Sequence, residues 1–157
     1  MRRILGFFAV LICFCGLSLS ADDHHHEKLT RYTDREYGVS FLRPTSWVKH
    51  KTESGRYEGT SGHFEIDAIN DTSNSLERVI RSTVHHKLKP YGDKPRIMRR
   101  YISGRRAAVI VPSDESMRDA VLIIRSPRLI KGKYNFVAVY CDRDHIYSIA
   151  RSFRLVN

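Results

Sequence analysis

Asp22-Asp23-His24, near the amino end of a 157-residue chain, is the sharpest arrangement of metal-capable groups in the sequence. With Asp22 as the first residue, a free amine, two deprotonated amides and the His24 imidazole close a square around Cu(II) or Ni(II), the geometry those ions prefer. His25 and His26 add further ligands, while a start at Ala21 puts the histidine one place out of register. The second arrangement is Cys141 with His145 four residues on. A thiol and a base one helical turn apart are the beginning of a cysteine-dependent enzyme. Nothing completes that set, and the apolar run Phe136–Tyr140 before Cys141 points to a half-buried, inert thiol.

The third arrangement is cationic. Arg96, Arg99, Arg100, Arg105 and Arg106 flank a turn at Ser103-Gly104, and a hairpin there is expected to gather them at one end. Arg125, Arg128, Lys131 and Lys133 form a second cluster around Pro127 and Gly132. Guanidinium forks suit phosphate and carboxylate. Few aromatics interleave with these residues, so the stacking platform of a single-strand nucleic-acid binder is missing. Other candidates fail on spacing. His85 and His86 are adjacent, hence about 100° apart on a helix. His26-Glu27 has Thr30 where a zinc-helix motif needs its second histidine. Glu58-Gly-Thr-Ser-Gly62 reads as a turn, and Asn70-Asp71-Thr72 is a glycosylation sequon that matters only in a eukaryote.

The compartment is set by residues 1–21. Arg2 and Arg3 precede an apolar stretch from Ile4 to Leu19, and Ser18-Leu19-Ser20-Ala21 offers small residues for cleavage after Ser20 or Ala21. That order is a secretory signal, and its 16 apolar residues fall short of the roughly 20 of a membrane-spanning helix. With it go Arg2 and Arg3, leaving 25 basic residues against 17 acidic ones, a formal charge of +8. Such a charge favours anionic partners. Cys13 and Cys15 leave too, so Cys141 stands alone and no intramolecular disulfide forms. The remaining 136 residues suffice for one domain with its own core. Within them, residues 22–36 are polar and aperiodic, expected as a mobile leader, and residues 37–157 form the domain.

Strands are expected at Tyr37–Leu42, at Arg56–Gly59 with Gly62–Ile69 as a hairpin, at Arg96–Ile102, Ala107–Val111, Ala120–Ile124 and Tyr134–Tyr140. In the second hairpin strand Phe64, Ile66 and Ala68 alternate with Glu65 and Asp67. The later three runs are apolar at consecutive positions, the pattern of strands buried on both faces. A helix is expected from about Ser75 to Leu88, with an Asn74/Glu77 capping box and a stripe of Leu76, Val79, Ile80, Val84 and Leu88. A second runs from about Arg143 to Arg151, capped by Asp142 or Asp144, and buries Ile146, Ile149, Ala150 and Phe153. The predicted class is α+β, three-layer: one mostly antiparallel β-sheet covered by helices.

Three segments carry a family likeness: Tyr37-Gly-Val-Ser-Phe-Leu-Arg-Pro-Thr-Ser-Trp47, Ile102-Ser-Gly-Arg-Arg-Ala-Ala-Val-Ile110, and the closing His145-Ile-Tyr-Ser-Ile-Ala-Arg-Ser-Phe-Arg154. Spanning residues 37–156, they resemble the Mog1/PsbP-like superfamily, in particular its exported bacterial branch. The resemblance implies the same three-layer fold and binding without known chemistry, in members as different as a photosystem extrinsic subunit, a small-GTPase-binding protein and bacterial envelope proteins. His63 departs from it, since relatives often carry an aromatic there, and it assigns no functional residue. The functional expectation is an exported, non-enzymatic binding domain of the bacterial cell envelope, with no cofactor. Its basic strand ends engage an anionic envelope component or an acidic protein, with peripheral membrane contact and no preference for nucleic acid.

Overall fold

The structure, a computed structural model, describes residues 27–156. The signal stretch 1–21 and the metal candidates Asp22, Asp23 and His24 lie outside the described residues. Ten strands and two helices follow in the order β1 (Leu29–Asp34), β2 (Val39–Pro44), β3 (Val48–Lys49), β4 (Arg56–Gly59), β5 (Gly62–Ile69), α1 (Leu76–Val84), β6 (Arg96–Ile102), β7 (Arg105–Val111), β8 (Asp119–Ile130), β9 (Tyr134–Asp142), α2 (Ile146–Ser152) and β10 (Arg154–Leu155). Seven strands form one sheet in the order β3-β4-β5-β9-β8-β7-β6, and β1-β2-β10 form a second. Every pairing is antiparallel. The domain is α+β, as its sequence pattern predicts.

Strands β7, β8 and β9 alternate between two cores. Val109, Leu122, Val137 and Val139 face one, together with Phe41, Ile146, Ile149 and Phe153. Ile110, Val121, Ile123 and Phe136 face the other, under Leu76, Val79 and Ile80 of α1. Three layers result, with one difference from expectation. The cover opposite α1 is α2 together with the three-stranded sheet, because β2 carries Val39 and Phe41, both fully buried, and needs strand partners of its own.

The first of those partners corrects the expected leader. Leu29–Asp34 pairs residue for residue with β2. Only Tyr32 of this polar run is buried, and it suffices: its ring lies 5.2 Å from Phe41 and 5.0 Å from Phe64, joining the two sheets. Aromatic pairs of this kind contribute about 0.5–1.5 kcal/mol beyond their area burial.

Both helices begin and end differently from their sequence signals. Asn74 has φ 54°, a left-handed conformation that an N-cap does not take, so the cap moves to Ser75, whose hydroxyl accepts from the Arg78 amide at 3.4 Å. Glu77 is left free to pair elsewhere. Helix α1 stops at Val84 because Ser82 and Thr83 bond back to the Val79 carbonyl at 2.9 and 2.8 Å and a β-branched end follows. Leu88, expected on the apolar stripe, is therefore 82% exposed. Before α2, Asp142 accepts from the His145 amide at 3.2 Å, so of the two expected caps it is Asp142 that orders the turn.

Ile149 is 1% exposed, wedged beneath β2 and the central sheet. Ile149→Asp buries a charge without a partner and should destabilise the fold by about 4 kcal/mol or more. Leu88→Asp, the same change at an exposed site, should stay within about 0.5 kcal/mol. Urea denaturation followed by circular dichroism reads both, and equal effects would contradict this packing.

Candidate functional site

Cys141 is fully buried, its Sγ 3.8 Å from Asp142. Burial, and then the neighbouring Asp142 charge, push its thiol far above the ordinary range. Its expected base is engaged elsewhere. His145 Nδ1 lies 2.7 Å from Asp142 Oδ1 and Nε2 lies 3.1 Å from Glu27 Oε2, so the imidazolium donates to a carboxylate at each end. The Cys141–His145 pair therefore has neither a thiolate nor a free base, and the cysteine-enzyme alternative loses its geometry.

What the structure shows in its place is a clasp. Glu27 accepts from Ser61 at 2.7 Å, Ser61 accepts from the Trp47 indole at 2.9 Å, and the Trp47 ring stands edge-on to His145 with centroids 4.8 Å apart. Asp142 also accepts from the His63 amide at 3.2 Å, and Gly62 must stay a glycine: a Cβ there would lie 2.0 Å from the Asp142 carboxylate. The Asp142 hydrogen bond raises the His145 pKa from 6.5 to about 9, outweighing burial. For Asp142 and Glu27, burial pushes upward, but the hydrogen bonds they receive, chiefly from His145 and from Ser61 respectively, pull both below the ordinary carboxylate range. A protonated histidine fixed between two carboxylates binds the start of β1 to the start of α2.

The nine candidate cations divide by strand parity and partner. Arg99, Arg106 and Arg125 lie on the α1 face of the sheet, as their alternation with core residues dictates. Arg105 joins them at the β6–β7 turn, and a cleft of about 570 Å³ is lined by Arg105, Arg106 and Arg125 with Tyr101, Leu76 and Glu77. Glu77, displaced from its expected capping role, is 2.7 and 2.9 Å from Arg99 and 3.6 Å from Arg106. The Arg99 hydrogen bonds hold its carboxyl below the usual range. Two guanidinium groups thus share one carboxylate, and Arg105 and Arg125 line the same cleft without an ion pair among the described residues.

The other five candidates stand apart. Arg96 pairs with Val111 at the far end of the hairpin, and Arg100 projects from the opposite face. Arg128 donates to the Arg35 carbonyl at 2.7 Å, Lys131 pairs with Glu36 at 3.5 Å beneath Tyr37, and Lys133 sits 4.6 Å from the Tyr134 ring centroid. Two of the four residues in the expected second cluster, Arg128 and Lys131, form a latch between the β8–β9 hairpin and the β1–β2 turn. Tyr101, 76% exposed, was not among the sequence candidates. An aromatic alternating with arginines on a predicted strand was its signal. His85 and His86 are exposed beyond the end of α1. Among the described residues no group of three His, Cys, Asp or Glu side chains is placed to hold a metal ion.

No family model and no curated protein matches the chain. Among solved structures it is similar to the solution structure of the cyanobacterial PsbP from Synechocystis sp. PCC 6803, at 15% sequence identity and a TM-score of 0.48, over 82% of this chain and 93% of that one. The likeness is one of chain path at low identity and gives no residue a role. The α+β class rests on the chain's own sheets and helices.

Two measurements test this site. A thiol reagent should leave Cys141 unmodified in the folded protein at pH 8 and modify it fully after denaturation; rapid native labelling would contradict its burial. The clasp should make stability depend on pH in a definite sense. A histidine whose folded pKa is raised stabilises fully below its unfolded value of 6.5 and ceases to do so as pH rises through about 9. The lowered carboxylates act oppositely, contributing above their ordinary range and fading as pH falls through their folded values. Melting temperature should therefore decline from pH 6.5 to 9, and His145→Gln should flatten that decline.

Proposed function

We propose that this is an exported, non-enzymatic binding domain of a bacterial cell envelope that holds an anionic partner in the basic cleft at the β6–β7 turn. The observation that carries the reading is the convergence of Arg105, Arg106 and Arg125 on one cleft beside α1, with Arg99 already neutralising much of Glu77. Planar guanidinium groups on a rigid hairpin recognise phosphate or carboxylate oxygens in pairs. Tyr101 offers an amphipathic surface at the rim. Export is supported by the charged, apolar and small-residue regions of residues 1–21, and the anionic partner by the +8 charge that remains without them. An anionic lipid headgroup, an acidic wall polymer and an acidic protein share the chemistry this cleft would read. Residues 27–156 contain both apolar cores.

Co-sedimentation of the chain lacking residues 1–21 with phosphatidylglycerol vesicles tests this. Retention should be strong at low ionic strength and fall steeply as salt approaches physiological levels, where the screening length is about 8 Å. Replacing Arg105, Arg106 and Arg125 together by Gln should reduce retention by about tenfold or more, since each guanidinium–anion contact contributes on the order of 1 kcal/mol. Arg128→Gln, at a residue used to latch the hairpin, should change it little. No retention on vesicles or on acidic wall polymer at low salt would remove the reading's main support.

A further inference from the structure

Among the described residues, strand β6 is the outermost strand of the seven-stranded sheet and bonds on one side only, to β7. Ser103 and Gly104, with φ 49° and 74°, form a two-residue turn of the primed kind, so the closing pair Ile102 and Arg105 exchanges its hydrogen bonds. Alternation then commits Arg96, Met98 and Arg100 to β7 and turns the backbone N–H and C=O groups of Ile97, Arg99 and Tyr101 outward. Side chains along this edge differ by face. Arg96 and Arg100 stand exposed on one face, and no ion pair engages them among the described residues. On the other face a shallow groove of about 210 Å³ between β6 and α1 is lined by Ile80, Val84 and Ile97, with Arg81, His85 and the Arg99–Glu77 pair at its rim.

We propose that β6 is a docking edge for an extended acidic segment of a partner protein, added antiparallel as an eighth strand, with acidic and apolar residues alternating. The inference rests on the anionic-partner reading and names a macromolecular partner for it. The outward amides and carbonyls supply main-chain pairing, as in other strand additions. Residues directly opposite Ile97, Arg99 and Tyr101 share their face, so they are the apolar ones and lie along the groove floored by Ile80 and Val84. Intervening residues fall on the face of Arg96 and Arg100, where carboxylates complete the charge pattern. The same arginines repel a second copy of this edge, which keeps it from pairing with itself.

The probe is a labelled, terminally blocked peptide alternating four glutamates with three valine or isoleucine residues, titrated into the chain lacking residues 1–21 at low ionic strength and followed by fluorescence anisotropy. Binding is expected. N-methylation of the amides at the apolar positions, which face β6, should weaken it by about tenfold or more, while N-methylation at the inner glutamates should leave it within about twofold. Arg96→Glu with Arg100→Glu should abolish binding with an unchanged circular dichroism spectrum and melting temperature. Absence of binding, equal effects at both methylation parities, or an effect at the glutamates alone would each overturn strand addition. Vesicle retention without peptide binding would overturn it too, while leaving the basic-cleft reading in place.

Discussion

Burial on both faces of β7, β8 and β9 is the constraint from which the rest of this fold follows. Consecutive residues such as Val109 and Ile110, or Leu122 and Ile123, are fully buried and belong to different cores. A sheet of that composition leaves about 25 cal/mol of unfavourable free energy per Å² wherever apolar surface stays in water, so both sides must be covered. Helix α1 covers one side. The other takes α2 and a second sheet, and that sheet exists only because β1 and β10 flank β2. The amino-terminal strand is thus part of the core cover rather than a tail attached to it.

That dependence gives the clasp around His145 its place in the fold. Strand β1 is an edge strand of six residues with one buried side chain, so it has little apolar contact of its own to hold it. The Glu27–His145–Asp142 clasp sits at the start of β1 and joins it to the turn that launches α2, the other component of the same layer. Trp47 and Ser61 brace the clasp from the loops between. A pair of carboxylates around one imidazolium compensates its desolvation better than a single ion pair would, because both ring N–H groups find acceptors. The result ties three distant stretches of chain together through hydrogen bonds and charge, while Cys141 stays a free, buried thiol.

Much of the architecture was legible in the sequence because it follows from period. Strand β6 has the bounds its residues suggest, the hairpin of β4 and β5 alternates as expected, and Ile146, Ile149 and Phe153 are buried. What was not legible depends on single conformations or on distance along the chain. The positive φ of Asn74 moves a cap by one residue and frees Glu77 for Arg99. Leu29–Asp34 reads as polar because an edge strand with one inward aromatic carries no strong alternation. His145 is drawn to Cys141 by sequence proximity, whereas its actual partners are Asp142 at i−3 and Glu27, 118 positions away.

The arginines show the same limit from another side. Clustering in sequence gathers residues at a hairpin, but strand parity distributes them: Arg99 and Arg100 are neighbours in the chain and stand on opposite faces of the sheet. Arg125, in a different sequence cluster, belongs with Arg106 in space. Arg128 and Lys131 hold one hairpin against another, so their charge is already committed. Net charge therefore overstates the surface open to a partner, and the pattern of commitments locates it. Of the nine candidate cations, Arg96, Arg100, Arg105 and Arg125 make no ion pair among the described residues, and they lie near the β6–β7 turn and along β6. On the proposed reading, a cation there keeps its position when a partner arrives, which limits the entropy lost on binding. The latch at the other hairpin gives up its charges for order, so on the proposed reading a partner would meet the uncommitted cations of the sheet instead.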